Sequence, residues 1–152
     1  MLTVSKEELP DYIGKALEPS AWLTINQDMI NTFADATRDH QFIHVDEAKA
    51  AQTPFGSTIA HGYLTLSLVS SFLEECGVVP EGTVMALNYG SDKVRFLQPV
   101  KVNNEVRAHA VLMSVLEKAP GQILLKTKIS VEVKGEDTPA LVAEILGLFF
   151  IQ

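Results

Sequence analysis

The sequence predicts an α+β fold in which one long apolar helix lies against a curved antiparallel sheet. Residues 59–75 are apolar nearly all round and free of Pro, so that helix has to be wrapped by something. Downstream come extended segments divided by turn signals, long and consecutive enough to do the wrapping. One segment alternates strictly: Ile123, Leu125, Thr127, Ile129, Val131 and Val133 share a face, and Lys126, Lys128, Ser130, Glu132 and Lys134 share the other. A strand patterned in this way buries one side and wets the other.

The elements follow in order. Thr24 with Gln27 three positions later reads as a capping box, and Met29, Ile30, Phe33 and Ala34 recur at helical spacing, which predicts a first helix over 25–37. Asp46 can cap a short second helix over 47–52, ahead of the turn signal Pro54-Phe55-Gly56, so that 38–58 is mostly loop. The apolar helix over 59–75 should be buried and should stop at Gly77 in a left-handed cap. Strands are expected over 84–91, 93–96, 105–116, 122–134 and 140–151. Gln98-Pro99, Asn103-Asn104, Pro120-Gly121 and Gly135-Glu136-Asp137 mark the turns. No repeat or Gly/Ser linker interrupts this order, so residues 1–152 are expected to form a single domain. The open sheet edges favour pairing of two copies along an edge strand, hence a homodimer.

Composition narrows the function. A formal charge of -7 argues against nucleic acid, whose binders concentrate Lys and Arg on one face. The apolar residues fall in short runs rather than one spanning segment, and the amino terminus carries acidic residues and an early Pro where a secretory leader needs an apolar core. Cys76 is alone and forms no internal disulfide. No membrane association and a cytoplasmic location are the expectations. Four His and one Cys show no ligand spacing, so neither metal nor cofactor is expected.

The chemistry-bearing segment is Phe33-Ala-Asp-Ala-Thr-Arg-Asp39-His40-Gln41-Phe42-Ile43-His44-Val45-Asp46, with acids and imidazoles at a helix end and in the loop beyond. Asp39 and His44 are five apart, roughly 140° around a continuous helix, so they converge only if the helix ends between them. This segment resembles the motif Asp-x-Asn-Pro-aliphatic-His-x-Asp of the MaoC-like dehydratases, which include the R-specific enoyl-CoA hydratases and the NodN-like proteins. It matches at Asp39, Ile43, His44 and Asp46 and departs at Gln41 and Phe42; the string Asp-His-Gln-Phe-Ile-His is similar to the NodN-like branch. A second stretch, Phe55-Gly56-Ser57-Thr58-Ile59-Ala60-His61-Gly62-Tyr63-Leu64, resembles the family's segment entering the central helix. The resemblance implies a hot-dog fold, a homodimer, reversible hydration of a trans-2-enoyl thioester on coenzyme A or an acyl carrier protein, and a catalytic pair at Asp39 and His44.

Hydration of such a thioester needs a base for water, a proton for the α-carbon, and donors for charge developing on the thioester oxygen. A neutral His44 imidazole suits the base, with Asp39 orienting the water and relaying its protons. Amides near Ala60, His61 and Gly62, at the start of the apolar helix, suit the donors. Gly62 leaves room for the thioester, and Ser67, one to two turns on, is expected as a polar residue of the acyl pocket. His61 is read as a packed residue bonded to backbone, His40 and His109 as structural or surface residues, and Lys93 and Arg95 as a solvated strand face. Two rival functions share the fold. A thioesterase would place an acid on the central helix, where residues 59–73 have none; a non-catalytic acyl-thioester binding module would bind without turnover.

Overall fold

The computed structural model describes residues 1–152. Its elements are β1 (Leu2–Val4), a 3₁₀ turn (Leu9–Tyr12), β2 (Leu23–Thr24), α1 (Gln27–Thr37), α2 (Phe42–Val45), α3 (Glu47–Ala50), α4 (Gly62–Ser67) and α5 (Val69–Cys76). Strands β3 (Val78–Pro80), β4 (Thr83–Phe96), β5 (Glu105–Ala119), β6 (Gln122–Val133) and β7 (Leu141–Ile151) complete it. The main sheet has the order β2-β5-β6-β7-β4 with every neighbouring pair antiparallel, as the strand patterning predicts. It curls around α4 and α5, the hot-dog arrangement.

The alternation of β6 sets the core. Ile129, Val131 and Val133 are buried and pack with Val106, Ala108 and Ala110 of β5, Leu141 and Ala143 of β7, and Leu64, Val69 and Phe72 of the central helices. Ile123 and Leu125, nearer the other end of β6, join a smaller cluster with Val4, Leu9, Val78 and Leu112. A short parallel pair between β1 and β3 accompanies that cluster, and the sequence pattern did not signal it.

Several expected boundaries move, each for a local reason. The first helix starts at Gln27 rather than Ile25, because Thr24 belongs to β2 and Asn26 takes the cap, its side chain accepting the Met29 amide at 2.9 Å. Asp46 caps α3 as expected, accepting from the Lys49 amide at 3.0 Å, and the helix ends at Ala50. The stretch between α1 and the central helices is less loop-like than composition suggests, since α2 and α3 each occupy four residues of it.

The central helix begins at Gly62, not Ile59. Ile59 bridges Lys101 and the Ala60 amide donates to the Val100 carbonyl, so these residues are extended. A turn at Leu68 divides it into α4 and α5, and it is not buried all round: Tyr63, Ser67, Ser70, Ser71, Glu74 and Glu75 are exposed along one side. Gly77 ends it in an extended conformation (φ -90°, ψ 174°), not the left-handed one. The reason for glycine there is space, because a Cβ would lie 2.5 Å from the Leu73 carbonyl oxygen that the Gly77 amide bonds. The two strands expected over 84–91 and 93–96 are one, β4, with register shifts between Asn88 and Gly90 and between Ser91 and Lys93 absorbing the irregularity.

Candidate active site

Helix α1 ends just before the predicted partners rather than between them, at Thr37. Arg38 adopts φ 64°, ψ 20°, a left-handed cap that reverses the chain so that Asp39 leaves the helix and His44 returns on α2. The reversal brings an Asp39 carboxylate oxygen and ring nitrogens of His44 and His61 all within 4.8 Å of one another. Asp39 is exposed and His44 and His61 are buried.

His44 is held from three sides. Its Nδ1 lies 2.7 Å from the Ile59 carbonyl oxygen; a carbonyl only accepts, so Nδ1 carries the proton and Nε2 is the bare nitrogen of the neutral ring. Its backbone carbonyl accepts from Gln27 Nε2 at 2.8 Å, and Gln27 Oε1 in turn accepts from the buried Thr58 hydroxyl at 2.6 Å. On its face lies the His61 ring, stacked at 3.7 Å between centroids. Burial pushes the His44 pKa below the ordinary imidazole value, with the Ile59 carbonyl partly opposing; the field of His61 lowers it further and that of Asp39 raises it.

His61 bonds backbone as expected, its Nε2 donating to the Asp39 carbonyl at 2.9 Å, but its placement against His44 was not foreseen. The three groups offer metal-ligand atoms in one place, yet the two imidazole planes lie only 25° apart at stacking distance. Lone pairs in nearly parallel planes do not converge on one ion, so this donor set does not suit a tetrahedral cation.

His44 lines a cavity of about 290 Å³ together with Ile59, Ala60, Gly62, Thr65 and the segment Phe96, Leu97, Gln98, Pro99 and Val100. Gly62 is therefore at the cavity, and its backbone is close to Phe96: a Cβ there would lie 3.0–3.2 Å from three ring atoms. Of the three expected amide donors, Ala60 is spent on Val100. Ser67 does not reach the cavity; it is exposed and its hydroxyl donates to the Tyr63 carbonyl at 2.7 Å. Five residues from Gly62 amount to roughly 140° around a helix, whereas buried Thr65, three residues on, shares the Gly62 face and lines the cavity. Helical phase was the signal that would have selected Thr65. His40 pairs with Asp35 at 2.8 Å and His109 with Glu132 at 2.6 Å, both away from the cavity. Lys93 bonds Glu144 on the outer sheet face.

A second cavity of about 630 Å³ lies between α5 and strands β4, β6 and β7, and none of Asp39, His44, Gly62 or Ser67 lines it. No helix is long and apolar enough to cross a membrane.

Fold and site together define a hot-dog protein with a fixed imidazole at a half-enclosed cavity and a carboxylate beside it. The chain belongs to the MaoC-like family: residues 8–134 match the model of a MaoC like domain. It is 44% identical over 145 residues to nodulation protein N of Rhizobium leguminosarum bv. viciae, spanning 94% of this chain and 89% of that protein. Identity is also 44% over 140 residues to 3-hydroxyacyl-thioester dehydratase Z of Mycobacterium tuberculosis, covering 92% of each. Among solved structures, a MaoC-like dehydratase from Rhodospirillum rubrum superposes with a TM-score of 0.75 over 98% of both chains at 18% identity, which speaks to the fold. By membership in this dehydratase family the chain is an enzyme of the hydro-lyase class.

Proposed function

We propose that the chain reversibly adds water to a trans-2-enoyl thioester, with His44 as the base and Asp39 orienting the water and relaying its protons. The observation that carries this reading is the Ile59 carbonyl at His44 Nδ1, which leaves Nε2 as the basic nitrogen of a ring lining the cavity. In the hydration direction Nε2 takes a proton from water as its hydroxyl adds to C3 of the enoyl group. Electron density moves onto the thioester oxygen, and the proton taken by Nε2 passes by way of Asp39 to C2, which leaves His44 and Asp39 as they began. The Gly62 amide, at the first turn of α4, is the donor best placed for that oxygen, since it is the cavity-lining amide there without a backbone acceptor. A depressed His44 pKa supports the role, because it keeps the base neutral at physiological pH.

A thioesterase reading has less support. No acid occurs in residues 59–73, and the carboxylate beside the imidazole comes instead from the loop after α1. For the assembly, we expect a homodimer paired along β4, an edge strand of 14 residues on which Val84, Met85, Leu87 and Tyr89 are exposed. An apolar open edge of that length invites pairing with a second copy. Sedimentation at twice the chain mass of 16.6 kDa checks it.

The test of the reaction is loss of the conjugated-thioester absorbance on adding the protein to short- and medium-chain trans-2-enoyl-CoA or the corresponding acyl carrier protein thioesters. His44→Ala and Asp39→Asn should each lower kcat by about 10²–10⁴-fold with unchanged far-UV circular dichroism. Near-normal rates in both variants would remove the assignment.

A further inference from the structure

The geometry points to His61 as a positioning residue that ties Asp39 to the His44 ring. Three contacts converge on its one imidazole. Nε2 donates to the Asp39 carbonyl at 2.9 Å, the ring face stacks on His44 at 3.7 Å, and the Phe33 ring of α1 packs against it at a tilt, 5.0 Å between centroids. Asp39 has little else to hold it: it is exposed, follows the left-handed Arg38, and its carboxylate makes one long contact of 3.4 Å with the Gln41 amide. His61 caps α4 and is 3% exposed, so it is fixed to the central helix while Asp39 is not. A single side chain thus sets the separation of the two groups on which the proposed hydration rests.

The other ring nitrogen argues for the same role. His61 Nδ1 is buried and has no hydrogen-bond partner. An orphaned buried nitrogen is unfavourable, and a phenyl ring of similar shape would fill this site without it. The imidazole therefore has a use that outweighs the loss, and the bond from Nε2 to the Asp39 carbonyl is the one polar contact it makes. Its two functions are separable: the Nε2 bond tethers Asp39, and the ring face keeps water off His44.

Two variants separate them, measured for turnover of trans-2-enoyl-CoA and, independently of turnover, for titration of the His44 imidazole by nuclear magnetic resonance. His61→Phe keeps the cover and loses the tether. It should lose about 10²-fold in kcat, the order expected of an ångström-scale misplacement, with KM little changed and the His44 titration raised only by loss of the His61 field. His61→Gln keeps an amide donor where Nε2 was and loses the cover. It should stay within about tenfold of the parent in kcat, while its His44 titration and the acid limb of kcat/KM move to higher pH than in His61→Phe. The ionisable groups acting on His44 are Asp39 and His61, and both variants lose the His61 field; Gln27 of α1 and the cavity wall from Phe96 to Val100 carry no charge, so the difference between the two titrations reports the cover. Full kcat in His61→Phe overturns the tether, and a His44 titration in folded His61→Gln no higher than that in His61→Phe overturns the cover. Were the parent protein inactive on every enoyl thioester, the reaction would fall while the titration still decided the cover.

Discussion

Thr58→Val isolates one bond of the chain that holds His44. Thr58 is 1% exposed, and its hydroxyl donates at 2.6 Å to Gln27 Oε1; the same amide donates through Nε2 to the His44 carbonyl at 2.8 Å and to Asn31 Oδ1 at 2.9 Å. Valine keeps the shape and removes the donor. Gln27 Oε1 is then left without a partner in a half-buried position, a loss of about 1–3 kcal/mol for a fully buried acceptor and nearer the lower end here. About 1–2 kcal/mol in a domain of this length lowers Tm by roughly 2–8 °C. Turnover should fall by about tenfold, less than removal of a reacting group, because the Ile59 carbonyl still orients the His44 ring. Thermal unfolding followed by circular dichroism and initial hydration rates at saturating enoyl-CoA are the assays. A double-mutant cycle with Gln27→Leu makes the test sharper. If the bond acts through Gln27, the double variant loses clearly less than the sum of the singles. Additive losses, or a Thr58→Val protein with parental Tm, would refute the coupling.

Two further outcomes are expected. The acid limb of kcat/KM should lie below pH 6.5, the ordinary imidazole value, because burial favours neutral His44 and a neutral ring is the active base. In Asp39→Asn the residual activity should show that limb at still lower pH, since the Asp39 charge raises the His44 pKa; a limb at or above 6.5 in either protein contradicts the burial argument. Gly62→Ala places a methyl group 3.0–3.2 Å from the Phe96 ring, which is 45% exposed and free to swing. Tm should change little while kcat/KM falls about tenfold or more, and Gly62→Ala/Phe96→Ala should recover part of the loss; an unaffected kcat/KM means that the ring does not bound the substrate.

The parts of this protein that local rules govern were legible in the sequence. Strict alternation in β6 placed Ile123, Ile129, Val131 and Val133 inside, and the structure buries all four. Asp46 was read as a cap and caps α3. Errors arose where a distant partner decided the outcome. Residues 59–61 have the composition of a helix, yet Lys101 and Val100 draw Ile59 and Ala60 into extended pairing, and the helix begins three residues late. The exposed side of α4 and α5 was equally invisible, since apolar composition does not say how many faces a single chain can cover.

The site divides along the same line. Asp39 and His44 were predicted to meet only if the helix broke between them; it ends just before Asp39, at the left-handed Arg38, and the chain beyond brings the two together. Nothing in the spacing of His61 to either residue announces a stack, because the contact closes across 17 residues from His44 and 22 from Asp39 through the docking of α4. A packed histidine was the sound reading of the sequence, and it describes the Nε2 bond correctly. What it misses is where the other end of that bond lies. The accepting carbonyl belongs to Asp39, so the same hydrogen bond that satisfies the ring also fixes the residue predicted to handle water. Packing and positioning are here one contact, and only variants that keep the packing, as His61→Phe does, can tell them apart.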